Sequence, residues 1–159
     1  MKRILKLLVL PLLACLPMTA FVSCGDDDNT PDVDLSISVE GATVVDDVIY
    51  VVKGETLDVV SVNITNNEQG KNAMVTGAAY YFDGIRIGVV IIPPYGMKIP
   101  MDSDVAPGKH AMQLVCDVAA EGKALGVAVL NYNVVVVEDA ADIPSGNVSG
   151  NIGSTVKVK

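Results

Sequence analysis

Few residues in this sequence could carry chemistry at neutral pH. His110 is the single histidine, and so the one side chain whose ordinary pKa suits a general base near pH 7. It follows Pro107-Gly108-Lys109 at the head of an alternating run. There its ring is expected to hold a strand corner, bonding a nearby backbone carbonyl, as the tyrosine of a tyrosine corner does. No Ser or Cys stands in a Gly-x-Ser-x-Gly setting that would expose a nucleophile on a sharp turn. Asp46-Asp47 and Asp102-Ser103-Asp104 offer the hard oxygen ligands that Ca²⁺ takes, but neither reaches the ligand count of a calcium loop. A carboxylate pair for glycoside hydrolysis needs a cleft between its members, and a short β-rich chain offers little room for one. The expectation is no enzyme, no cofactor and no metal. Binding is the remaining chemistry. There is no Trp, so stacking on a sugar ring would fall to Tyr50, Tyr81, Tyr95 or Tyr132, with Tyr80 expected inside. Tyr81 beside Arg86, and Tyr95 on the Pro93-Pro94 loop, are the candidate ligand-binding residues; the plainer reading is that these rings cover sheet surface.

Composition narrows the partners. The 159 residues carry 19 acidic side chains against 11 basic ones, a formal charge of −8. Such a balance repels nucleic acid and anionic membrane surfaces alike. Residues 1–23 read as a removable leader, with Lys2, Arg3 and Lys6 ahead of an apolar stretch and a small residue before Cys24. Three of the 11 basic residues leave with it, which takes the charge from −8 to −11. Phe21-Val22-Ser23-Cys24-Gly25 resembles the lipobox of bacterial lipoproteins, which implies acylation at Cys24. Leu12-Leu13-Ala14-Cys15 fits the short pattern as well, but Leu16 to Val22 beyond it is still apolar, whereas Cys24 is followed at once by Gly25-Asp26-Asp27-Asp28. Cleavage belongs where the apolar stretch meets water. Asp26, Asp27 and Asp28 resemble the export signal of Bacteroidetes-type surface lipoproteins. The resemblance implies anchorage in the outer membrane, facing the exterior. As a plain acidic tether, residues 24–31 would do equally well. Cys116 would then be the only free thiol, tolerable in an oxidising compartment if buried.

The rest of the chain reads as strands. Val33, Leu35, Ile37 and Val39 alternate with polar residues, the mark of a half-buried strand. Val48–Val52 is a second apolar run, and Lys53-Gly54-Glu55-Thr56 a turn. In the run from 57 to 65, Leu57 and Val59 are out of phase with Val60, Val62 and Ile64, which predicts a bulge. Asp83-Gly84 between two apolar runs predicts a two-residue type I′ hairpin. Its register faces Ala78, Tyr80 and Phe82 against Ile85, Ile87 and Val89, with Arg86 and Tyr81 on the other side. Met97, Ile99 and Met101 form a short alternating piece. His110, Met112, Leu114, Cys116 and Val118 share one face of the next strand, and residues 125–137 form the last. No period of 3.6 is found. The expectation is an all-β sandwich of about seven strands in two sheets over residues 32–138. Residues 139–159, rich in Gly, Ser and Asn, are expected to be a flexible tail; a weaker alternative makes 148–158 an edge strand.

Tyr80-Tyr81-Phe82-Asp83-Gly84-Ile85-Arg86-Ile87-Gly88 and Ala106-Pro107-Gly108-Lys109-His110-Ala111-Met112 together resemble bacterial immunoglobulin-like domains. In those domains an aromatic strand ends in Asp-Gly and a Pro-Gly-x-His corner opens a later strand. The resemblance implies an immunoglobulin-like sandwich, though without the Cys pair and Trp of antibody domains, with Tyr80 in the central aromatic place. These motifs are turn chemistry and are nearly silent on function. For function, the expectation is a lipid-anchored, non-catalytic binding or adhesion module for a glycan or protein ligand. The alternative is a structural or assembly subunit of a surface appendage or envelope complex.

Overall fold

A computed structural model describes residues 30–31, 33–67, 72–145, 148–149 and 151–154. The leader, Cys24 and Asp26 to Asp28 lie outside them. Eleven strands are formed where about seven were expected: β1 (Val33–Glu40), β2 (Thr43–Val45), β3 (Val48–Val52), β4 (Thr56–Asn67), β5 (Met74–Phe82), β6 (Ile85–Val90), β7 (Tyr95–Pro100), β8 (Gly108–Ala119), β9 (Gly126–Val137), β10 (Val148–Ser149) and β11 (Asn151–Ser154). They build two sheets, ordered β11–β1–β4–β7 and β10–β2–β3–β9–β8–β5–β6. Every neighbouring pair is antiparallel except β3 and β9, which run parallel. The fold is an all-β sandwich. Among the described residues no helix is long and apolar enough to cross a membrane.

Period-two patterning makes the core. Val33, Leu35, Ile37 and Val39 of β1 are buried, as are Leu57 and Val59 of β4. Facing them from the larger sheet are Met112, Leu114, Cys116 and Val118 of β8 and Ala128, Leu130, Tyr132 and Val134 of β9, in cross-strand register. Tyr80 lies fully buried among them, inside the sandwich as its place in the alternation predicts. Cys116 is a fully buried free thiol, and burial pushes its pKa up to about 12.

Three departures from the sequence reading have local causes. The bulge in β4 exists, between the pairs Ser38–Ser61 and Val39–Val59. Val60 is the extra residue, however, and is 36% exposed, so only Val62 and Ile64 of its phase turn inward. A second bulge sits in the hairpin. Asp83 and Gly84 have φ of 49° and 79° with Phe82 opposite Ile85, which is the type I′ geometry. Tyr81 then faces Arg86, but Tyr80 faces Gly88, so Ile87 is skipped and Val89 lands on the outer face. Ile85 still faces Phe82 at the exposed end of the hairpin, while Ile87 and Val89 are exposed rather than paired over the core. The third departure is at the C-terminal end. The segment expected as a tail forms a 3-10 turn at Ala140–Asp142, and then β10 pairs with β2 and β11 with β1. Ile152 is buried there.

Candidate functional site

Asp46 and Asp47 serve the backbone. Both have positive φ, 49° and 63°, between the paired residues Val45 and Val48, so they form a tight turn like that of Asp83-Gly84. Asp tolerates this left-handed region better than most residues. No group of three His, Cys, Asp or Glu side chains that could hold a metal occurs among the described residues.

His110 stands at the strand corner. Its Nε2 lies 2.7 Å from the carbonyl oxygen of Ala106, four residues upstream. The sequence reading missed its other partner: Nδ1 lies 2.7 Å from Oδ2 of Asp83, the first residue of the hairpin turn. The ring also stacks on Phe82, centroids 5.2 Å apart. Asp83 Oδ1 accepts from the Ala111 amide at 2.9 Å, and the Asp83 amide donates to the Ala111 carbonyl at 2.8 Å. Hydrogen bonds from His110 first, and then from Ala111, hold the Asp83 carboxyl below its usual range. Burial works against a charge on the His110 ring, but the bonds with Asp83 and Ala106 outweigh it and raise its pKa. Both ring nitrogens face acceptors, so the imidazolium satisfies the site fully and no lone pair is left to take a proton. This is a structural clasp between hairpin and strand. The pairing was findable, because the Asp-Gly turn and the Pro-Gly-x-His corner both lie on the two motifs of the family resemblance.

The Tyr residues divide sharply. Tyr95 does not offer its ring to solvent. It is half-buried against the core, and its hydroxyl donates to the Val75 carbonyl. The Tyr80 hydroxyl in turn donates to the Tyr95 carbonyl at 2.6 Å. Tyr132 is also internal, with a buried hydroxyl that has no hydrogen-bond partner among the described residues. A Tyr at an even position of β9 must point with Leu130 and Val134, which is why the Tyr132 ring is lost as a platform. Tyr81 and Arg86 do come together, directly opposite each other on the outward face.

That outward face carries more than the sequence reading assigned to it. Tyr81 is registered with Gln113, and Gln113 with Asn131. Arg86, Tyr81, Gln113 and Asn131 thus make one polar row across four strands, with Gln113 Nε2 donating to Asn131 Oδ1 at 2.8 Å. Asn133 continues the polar side of β9 into a shallow cleft of about 290 Å³ lined also by Val48, Tyr50, Lys109 and Val135. The next row in the other direction is apolar: Val89, Ala79, Val115 and Val129 are successive partners. From strand spacing and rise, the Tyr81-to-Tyr50 diagonal spans roughly 20 Å. No family model matches this chain, and no curated protein does.

Proposed function

We propose that this chain is a lipid-anchored module of the outer membrane surface, immunoglobulin-like in fold, that binds a glycan or protein ligand on the outer face of its larger sheet without catalysis. The observation that carries the binding reading is the in-register row Arg86–Tyr81–Gln113–Asn131. It combines one aromatic ring, one cation and two amides on the outward face of one sheet. Amides both donate and accept, which suits hydroxyl-rich or peptide ligands, and a Tyr ring gives contact area at low entropic cost. Arg86 and Lys109 give this band positive charge on a chain of −8, favouring ligands with acidic groups. The immunoglobulin-like reading is supported by the parallel pairing of β3 with β9 and by the His110 corner at the start of β8. The anchor rests on the Cys24 motif.

Glycan and protein arrays probed with the chain from residue 25 onward test the binding role. Capture is expected, and Tyr81→Ala or Arg86→Ala should weaken it at least tenfold. Silence across both arrays refutes the reading. Globomycin treatment of expressing cells tests the anchor separately; a precursor that matures normally despite the drug refutes acylation at Cys24.

A further inference from the structure

On the outward face of the larger sheet a cation stands near a tyrosine twice. Arg86 is directly opposite Tyr81. Lys109 lies four residues from Gln113 along β8, roughly 13 Å from that row; it faces Val135, and Val135 faces Tyr50. Among the described residues the lysine and arginine side chains are those of Lys53, Arg86, Lys98, Lys109 and Lys123. Lys53 pairs with Glu138 and Lys98 with Asp58, and Lys123 also has a partner. The side chains of Arg86 and Lys109 have no ion-pair or hydrogen-bond partner among the described residues. On a chain with 19 acidic side chains against 11 basic ones, the two cations left without an anion share one face. Tyr50 adds a second feature, because it lines two shallow clefts. Lys109 and Asn133 line one, of about 290 Å³. Gly41, Thr43 and Glu55 line the other, of about 310 Å³.

We infer that this face takes a linear glycan bearing carboxylate groups, laid from Tyr81 to Tyr50 with its acidic groups toward Arg86 and Lys109. The inference rests on the binding role proposed above and names the chemistry of the ligand. Charge selects it. An arginine fork fits a carboxylate with two parallel hydrogen bonds, and Lys109 supplies a second point charge roughly 16 Å from Arg86. Nearby carboxylates leave these two positions open. Asp83, between them, is engaged by His110 and by the Ala111 amide. From strand spacing, the Asp46-Asp47 turn lies roughly 15 Å from Lys109, and Asp117 roughly 16 Å from Arg86; both exceed the ~8 Å over which exposed charges act. Topology argues against an acidic peptide. A peptide gains affinity by adding a strand to a free edge, but β5, β8, β9 and β3 are each paired on both sides. A ligand on their face meets side chains only, and the amides of Gln113, Asn131 and Asn133 both donate to and accept from hydroxyls. Glu55 gives the ligand a direction: its acidic groups lie on the Lys109 side of Tyr50, and uncharged rings enter the cleft beyond.

Isothermal titration of the full chain in detergent tests the inference, with galacturonate and mannuronate oligomers, the methyl ester of the former, and polyglutamate as probes. A uronate oligomer is expected to bind, its methyl ester at least about fivefold more weakly, and its affinity to fall as salt rises from about 50 to about 300 mM. Arg86→Gln and Lys109→Gln should each weaken binding about fivefold. Lys98→Gln, on the smaller sheet, should leave it unchanged, and Glu55→Gln should leave it unchanged or tighter. All four positions are on the surface, and far-UV circular dichroism checks that the variants are folded. Equal binding of acid and ester overturns the inference while leaving the binding role standing. So does polyglutamate binding more tightly than either uronate, or an equal loss in Lys98→Gln and Lys109→Gln. If no uronate binds but the arrays capture another ligand, this inference alone fails; silence on the arrays as well refutes the binding role itself.

Discussion

The Asp83–His110 clasp makes stability depend on pH in a direction that can be worked out. Nε2 faces a carbonyl and Nδ1 a carboxylate, both at 2.7 Å, so two N–H donors are needed and a neutral ring must give one up. The pKa of His110 is raised on folding; its stabilisation is therefore complete below the unfolded value, about 6.5, and is lost as pH rises through the higher folded value. The pKa of Asp83 is lowered; its contribution is present above the unfolded value, about 3.9, and lost as pH falls through the folded one. The clasp works best from about pH 4 to about pH 6.5. A hydrogen bond to a charged group contributes about 1.5–3 kcal/mol when buried. His110 is 12% exposed but Asp83 is 47% exposed, and solvent screening reduces the charged part to about 1 kcal/mol. For a chain of this size that is roughly 4 °C in Tm. The assay is urea denaturation at pH 5.5 and pH 8.5, on either side of the ordinary imidazole value. The unsubstituted chain should lose about 1 kcal/mol more than His110→Gln between the two pH values, and Asp83→Asn, which keeps the turn residue's size, should abolish most of the difference. If His110→Gln shows the same pH dependence as the unsubstituted chain, the imidazolium argument is wrong.

Other positions give sharper contrasts. Tyr80→Phe removes the donor to the Tyr95 carbonyl and should destabilise by about 1 kcal/mol, whereas Tyr132→Phe removes an unpartnered buried hydroxyl and should be neutral or stabilising by up to about 1 kcal/mol in the same denaturation assay. Gly96→Ala would put a Cβ 2.3 Å and 2.6 Å from the carbonyl oxygens of Val59 and Val60; backbone cannot yield as a side chain can, so a loss of about 3 kcal/mol is expected by thermal melting. Cys116 should resist Ellman's reagent at pH 8 in the folded protein and react only at the rate of unfolding, since it is fully buried with its pKa near 12.

What the sequence disclosed follows from the range over which each signal acts. Alternation and turn chemistry are local, so β1, β8, β9 and the Asp83-Gly84 turn could be read residue by residue. Bulges are written in two strands at once. The phase slip in β4 announced one, but only the partner ladder decides that Val60 is the extra residue. No phase slip marks the bulge at Ile87, because Ile85, Ile87 and Val89 alternate regularly with Arg86 and Gly88, and the exposure of Ile87 and Val89 stayed hidden with it. The short strands β10 and β11 have no alternation of their own, and only pairing with β2 and β1 stabilises them. At the surface, Tyr81 and Arg86 were visible as hairpin partners two residues from a turn. Gln113 and Asn131 join them only through registers set far along the chain. Tyr95 misled because a Pro-Pro loop suggests exposure, while the ring is drawn inward by a carbonyl on β5.

The placement of β1 bears on how the molecule would carry a load. It is flanked on both sides, by β4 along its whole length and by β11 over Leu35 to Ser38. A pull on the segment ahead of Val33 acts along the strand, so both ladders are sheared and their hydrogen bonds must fail together. Peeling from an edge would break them one after another. The polar face lies on the opposite sheet, so tension between a captured ligand and the N-terminal side crosses the packed core before reaching β1. Force spectroscopy from residue 33 to residue 81 should show one high rupture event rather than a stepwise unzipping. A tethered receptor built this way would hold under flow longer than its equilibrium stability alone implies.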